Sequence, residues 1–145
     1  MKVSRQVIVQ DIAILRAEGN EIIATPQGYI MLKYPLDKME KKIIACSHDR
    51  SGIEDELKTI ISLGGKVIDV IVEHPVYGEL KGMLMLSSIY DVDVFIKKLD
   101  EGEGQPLLVL TGGVHLHTIE AESKKKLNMI EEMLKDKGYL IDRGM

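Results

Sequence analysis

The chain has 145 residues, 45% of them hydrophobic and 29% charged, with a formal net charge of −4. This is the composition of one soluble globular domain with at most a small appendage, and it lacks the global basic field that recruits nucleic acid unaided. No apolar run approaches the ~20 residues that span a bilayer, no leader pattern opens the chain, and the single cysteine, Cys46, excludes an internal disulfide framework. The expected compartment is the cytoplasm, with no membrane partner.

Residues 1–33 carry Lys2, Arg5, Arg16 and Lys33 against Asp11, Glu18 and Glu21, about +1, which leaves about −5 for the remainder. Val3 to Ala17 is expected to be a helix. Ser4 is its N-cap, and Val7, Ile8, Ile12, Ala13 and Leu15 recur at helical spacing. Gly19 stops it. Residues 21–25 then read as a strand, Pro26-Gln27-Gly28 as a turn, and Tyr29 to Leu32 as the returning strand. Residues 34–41 are charged and interrupted by Tyr34-Pro35 and Asp37, which suits a linker.

From residue 42 a second pattern begins. Ile43 to His48 is a short buried strand with a polar tip. Ser51 to Leu63 is a helix with Ile53, Leu57, Ile60 and Ile61 on one face, ended by Gly64-Gly65. Lys66–Val72 and Glu79–Leu86 are strands joined through Glu73 to Gly78. Ser87-Ser88 caps a helix through Leu99. Pro106–Leu110 and Val114–Ile119 are strands broken at Gly112-Gly113. A helix spans Glu122–Lys137, and Tyr139–Ile141 is a last short strand. The order β-α-β-β-α-β-α implies an α+β fold, an open-faced sandwich with helices on one side of the sheet. The other face needs a partner or serves as a site.

The N-terminal run "VSRQVIVQDIAILRAEGNEIIATPQGYIM" resembles the recognition helix and wing of a winged helix-turn-helix domain. That resemblance assigns DNA contacts to Ser4, Arg5, Gln6 and Gln10 at the start of the helix. Arg can pair two-point with guanine and Gln with adenine in the major groove. Residue chemistry alone also fits an amphipathic helix and hairpin packed on a neighbouring domain. The upstream helices that seat a recognition helix on DNA do not precede residue 3. Residues 1–33 are therefore expected to form a partial winged helix-turn-helix, from a chain shortened at its start or a relative lacking that part.

Candidate chemistry lies in Thr-Gly-Gly-Val-His-Leu-His-Thr-Ile-Glu, residues 111–120. On a strand, His115 and His117 share one face with their roots ~7 Å apart, close enough for both rings to lean onto one metal ion. Val114 and Leu116 are expected to point the other way, into a core. Two solvated histidines on a surface strand are the plainer alternative. His48 lies at a strand end, and Glu56 sits near the border of its helix's apolar face. Three imidazoles and one carboxylate suit zinc, nickel or iron(II) and leave a position for water or a small ligand. Cys46 is expected to point away from the face of His48.

Residues 42–141, through "CSHD", "VIVEHPVYGEL" and "LTGGVHLHTIE", resemble the three-histidine (3H) domain of niacin-responsive transcriptional repressors. A 3H domain following a winged helix-turn-helix is that family's architecture, with domains here at 1–33 and 42–145. The resemblance implies a fold like that of HPr and a divalent metal, foremost nickel or zinc, on His48, Glu56, His115 and His117. It further implies a homodimer, nicotinic acid as co-repressor, and operator DNA near genes of NAD biosynthesis or niacin uptake. His74 and Tyr77 could meet the ligand by hydrogen bonds or ring stacking; a turn histidine before Pro75 is the plainer reading of His74. Two other functions fit the residues: a stand-alone metal or niacin sensor that binds no DNA, and a metal-dependent hydrolase with Glu73 or Glu120 as its base.

Overall fold

The computed structural model of the protein describes residues 5–31, 39–102 and 106–141. Ser4, most of the linker and the side chains of Arg5 and Gln6 lie outside the described residues. Helix α1 spans Arg5–Ala17, and β1 (Ile22–Thr25) and β2 (Gly28–Met31) form an antiparallel hairpin. A helix followed by a hairpin is the expected order of elements. Arg16 Nε donates to the Ile22 carbonyl at 3.1 Å, tying the end of the helix to the first strand. Val7, Ile8, Ile14 and Leu15 remain exposed on α1.

The remainder is a four-stranded antiparallel sheet under three helices. The strands are β3 (Glu40–Ser47), β4 (Lys66–His74), β5 (Gly78–Leu86) and β6 (Val114–Ala121), and the helices are α2 (Ile53–Ser62), α3 (Ile89–Asp100) and α4 (Lys124–Asp136). The chain order is the expected β-α-β-β-α-β-α. In space the strands run β3-β6-β4-β5, so the last strand enters the middle of the sheet. The linker ends earlier than expected, because Glu40 and Lys41 already pair with β6.

Local chemistry sets the helix starts. Ser88 and Ser123 hold extended backbone, and their hydroxyls accept from the amides of Asp91 and Lys126 at 3.1 and 3.2 Å. Asp49 caps the 3-10 turn that leads into α2, accepting from the Ser51 amide at 3.0 Å. One sheet face closes on the helices through Ile44, Val67, Leu86 and Ile119 against Leu57, Ile60, Val92, Ile130 and Leu134, all buried. On the opposite face Ile43 and Val114 are exposed at 59% and 47%, so the sheet is open on that side within one chain.

Three expectations are corrected. Residues 106–110 do not form a strand: Leu107–Thr111 is a 3-10 turn, closed by Gly112 in the left-handed region at φ 68°. The turn folds over β4 and β6 instead of joining the sheet. Residues 139–141 form no strand of their own; Leu140 makes an isolated bridge to Cys46. The Ser47 amide donates to the Tyr139 carbonyl and the Ile141 amide to the Ala45 carbonyl, each at 2.8 Å, so the segment lies along the free edge of β3. Finally, Val114 and Leu116 lie on the open face, and His115 and His117, which alternate with them, face the core.

Ser88→Ala removes a hydroxyl that satisfies a free amide in the first turn of α3. It is expected to cost about 1 kcal/mol, read as a lower urea midpoint with an unchanged slope.

Candidate metal centre

Four side chains expected to act together do meet. His48 follows β3, Glu56 lies in the first turn of α2, and His115 and His117 stand on β6. The Nε2 atoms of all three rings converge on the Glu56 carboxylate. His48 Nε2 is 2.6 Å and His115 Nε2 3.0 Å from Oε2, and His117 Nε2 is 2.7 Å from Oε1. Glu56 is 1% exposed, His115 2% and His117 3%, which removes the reading of two solvated histidines. The rings stack edge to face, His48 on His115 at 4.7 Å and His115 on His117 at 4.8 Å between centroids.

The opposite nitrogen of each ring is committed. His48 Nδ1 lies 2.7 Å from the Asp49 carbonyl, His115 Nδ1 2.8 Å from that of Gly113, and His117 Nδ1 2.7 Å from that of Asp69. A carbonyl oxygen only accepts, so each Nδ1 carries the proton and donates. Each neutral ring therefore turns an Nε2 lone pair toward Glu56. Three lone pairs around a buried carboxylate repel one another unless protons or a cation stand between them. Neutral imidazoles anchored through Nδ1 together with a carboxylate form a donor set for a divalent transition metal, and these residues fit one.

Backbone irregularities build this arrangement. Register along β4 shifts between its pairing with Ile119 and its pairing with Leu116, a bulge around Asp69. At the bulge the Asp69 side chain accepts from the Thr118 amide at 2.8 Å, while its carbonyl receives His117 Nδ1. Gly113, at φ 109°, lies against the backbone of His48; a Cβ there would stand 2.5 Å from the His48 carbonyl oxygen. A Cβ on Gly52 would stand 2.9 Å from the His48 ring. Tyr139 places its ring 5.1 Å from that of His48 and donates its hydroxyl to Asp55 at 2.8 Å. Of these supports the sequence offered only the Gly112-Gly113 pair.

Cys46 is a correction. It does not point away from the site but is fully buried on the same face, with its ligand atom, one of Glu56 and one of His115 all within 4.8 Å of one another. Residues two apart on a regular strand share a face, and β3 is regular up to Ser47.

Other expected site residues stand elsewhere. His74 Nδ1 accepts from the amides of Val76 and Tyr77 at 3.1 and 3.2 Å, which is the turn-histidine role, and Tyr77 is 75% exposed. Neither lines the small apolar cavity, about 30 Å³, that opens on Glu56, His115 and His117 between Ile53, Leu57, Val70, Leu84, Phe95 and Leu108. Glu120 pairs with Lys41 on the open sheet face and Glu73 is exposed, so neither joins the histidines as a base. Gln10 is exposed on α1.

Residues 41–143 match the 3H domain family and residues 1–30 a helix-turn-helix domain family. The chain is 45% identical to the probable transcription repressor NiaR of Thermotoga maritima over 144 residues, covering 99% of this chain and 81% of that protein. It is 41% identical to the transcription repressor NadR of Bacillus subtilis over 141 residues, 96% of this chain and 78% of that protein. An uncharacterized protein of Methanothermus fervidus is 33% identical over 135 residues, 88% of this chain but 21% of the longer protein. The chain belongs to the 3H-domain family, with the helix-turn-helix match and the 3H domain in one chain, and is similar to transcription repressors over nearly its whole length. No helix among the described residues is long and apolar enough to cross a membrane.

Burial opposes charge on Glu56, yet the charge on His117 and hydrogen bonds from the three rings hold its pKa far below the carboxylate range. Burial also opposes charge on His48 and His117, and Glu56 raises both above the usual imidazole value. In metal-free protein the carboxylate contribution is present above the ordinary value of ~4.3 and is lost as pH falls through the depressed pKa. The imidazole contribution is present below ~6.5 and is lost as pH rises through the raised values. Chelator-treated protein is expected to melt higher at about pH 5.5 than at about pH 8. Metal-loaded protein should show the opposite order, because its imidazoles must first shed protons. Thermal melts of both forms at both pH values check this. Separately, Asp69→Ala removes the clamp that fixes the bulge behind His117. It is expected to weaken metal retention about 10- to 100-fold in chelator competition.

Proposed function

We propose that this protein is a transcription repressor that senses niacin through a metal-containing 3H domain. In this reading His48, Glu56, His115 and His117 hold a divalent transition metal, nickel or zinc. Nicotinic acid is the co-repressor, and the regulated genes serve NAD biosynthesis or niacin uptake. One observation carries the reading: three Nε2 lone pairs aimed at one buried carboxylate, with all three Nδ1 atoms tied to backbone carbonyls. A metal held there supplies an open position for the ring nitrogen or carboxylate of a pyridine acid. The apolar cavity beside His115 and His117 suits the face of such a ring once it widens.

A repressor is favoured over a hydrolase because relatives spanning nearly the whole chain are named as repressors, and because no further carboxylate stands with the donor set among the described residues. The helix-turn-helix match favours operator DNA as partner over a stand-alone sensor, with α1 entering the major groove and the β1–β2 hairpin as wing. A homodimer is supported by the open sheet face, where Ile43 and Val114 are exposed. Coupling between the two parts has a physical contact: Lys98 of α3 donates to the Pro26 carbonyl in the wing turn.

Calorimetric titration of nicotinate into metal-loaded and metal-stripped protein tests the reading. Micromolar binding, about 8 kcal/mol, is expected only with metal. Equal binding in both forms, or none in either, removes the metal-held co-repressor. His115→Ala/His117→Ala protein is expected to lose stoichiometric metal after dialysis; full retention would overturn the assignment of the ligands.

A further inference from the structure

Cys46 stands beside the carboxylate and the three imidazoles of the metal centre. Its place is specific. Cys46 lies directly across the β3–β6 ladder from His115 and two residues before His48, on the face that carries all three rings. It is fully buried. Its sulfur, a Glu56 carboxylate oxygen and a His115 ring nitrogen lie within 4.8 Å of one another. Two atoms bound at ~2.3 Å to one ion can be ~4.6 Å apart, so the cluster is nearly of ligand dimensions before any side chain moves.

We propose that Cys46 is a further ligand of the metal centre, supplying a thiolate beside Glu56 and His115. The proposal rests on the reading that a metal is held by the histidine set. Burying a divalent cation with one carboxylate and three neutral imidazoles leaves a net positive charge inside the core, and one thiolate cancels it. The Cys46 thiol carries one proton to give up. As metal binds, that proton leaves to solvent and a sulfur–metal bond takes its place, with no change in oxidation state. A sulfur donor also biases the site toward nickel, zinc or cobalt and away from manganese or magnesium. Against a plain core role stands the polar company: a buried cysteine serving only as a small apolar residue gains nothing from lying against a carboxylate and an imidazole.

The chain has one cysteine, so the wild-type protein can report on it directly. The experiment titrates cobalt(II) into the metal-stripped full chain and follows both the visible ligand-field bands and the near-ultraviolet sulfur-to-cobalt charge-transfer band. Expected are stoichiometric uptake and both sets of bands. Cys46→Ser and Cys46→Ala should keep the ligand-field bands, lose the charge-transfer band and release cobalt at least tenfold more readily to a chelator. Stoichiometric cobalt with ligand-field bands and no charge-transfer band in the wild type overturns the thiolate and leaves the four-residue site intact. No cobalt uptake at all overturns both.

Discussion

The structure is organised around a carboxylate placed where carboxylates are expensive. Glu56 sits in the first turn of α2 and is almost entirely buried, within the layer between helices and sheet. An isolated anion there would cost several kcal/mol or take up a proton. What makes the position tenable is that the Nε2 atoms of His48, just past β3, and of His115 and His117 on β6 lie within 3.0 Å of it, so that a proton or cation can stand between them. Neither side is stable alone, since the rings aim lone pairs at an anion and the anion has no other partner of comparable strength. The need for positive charge between them is therefore a property of the fold, fixed before any ligand is considered.

The ring orientations are set by carbonyls that regular secondary structure would have consumed. Each Nδ1 anchor comes from a place where the ladder fails: Asp49, two residues past β3, the left-handed glycine before β6, and the bulge in β4. In a continuous sheet the Asp69 carbonyl would bond a neighbouring amide. At the bulge the Asp69 side chain takes the Thr118 amide, which frees the carbonyl for His117. The irregularities are thus part of the site, and their cost is offset by the order they impose on the donors.

This division explains what could be read in advance. The spacing of His115 and His117 gave their shared face, and the alternation of strands and helices gave the sandwich with its order intact. Which face turned inward was not legible, because Val114 and Leu116 make the opposite face of β6 equally apolar. Period-2 alternation separates the sides of a strand without saying which is covered. Applying the same parity to Cys46 places it on the face of His48, two residues on, because β3 stays regular up to Ser47. Leu107–Thr111 is apolar enough to imitate a strand, and only the tertiary structure shows it folded over β4 and β6. The role of Asp69 had no local signal, since a bulge is a relation between two strands and Asp69 and Thr118 are far apart in sequence.

The donor cluster lies inside the core, and helix α3 runs from its neighbourhood to a contact with the other end of the chain. Phe95 lines the small cavity beside Glu56 and His117, and one turn further along the same helix Lys98 bonds the Pro26 carbonyl in the wing. That cavity, about 30 Å³, is smaller than a pyridine ring, so admitting one displaces a wall that includes Phe95. A helix moves largely as a unit, so on the proposed function the Lys98 contact would shift with it. Linkage sets the limit on what this can achieve. In that reading, a ligand would bias the placement of the β1–β2 hairpin only to the extent that it bound one position of α3 more tightly than another. On the proposed function, the cavity wall that includes Phe95, rather than the metal ligands, is where a ring-bearing ligand would act on the helix tied to the wing.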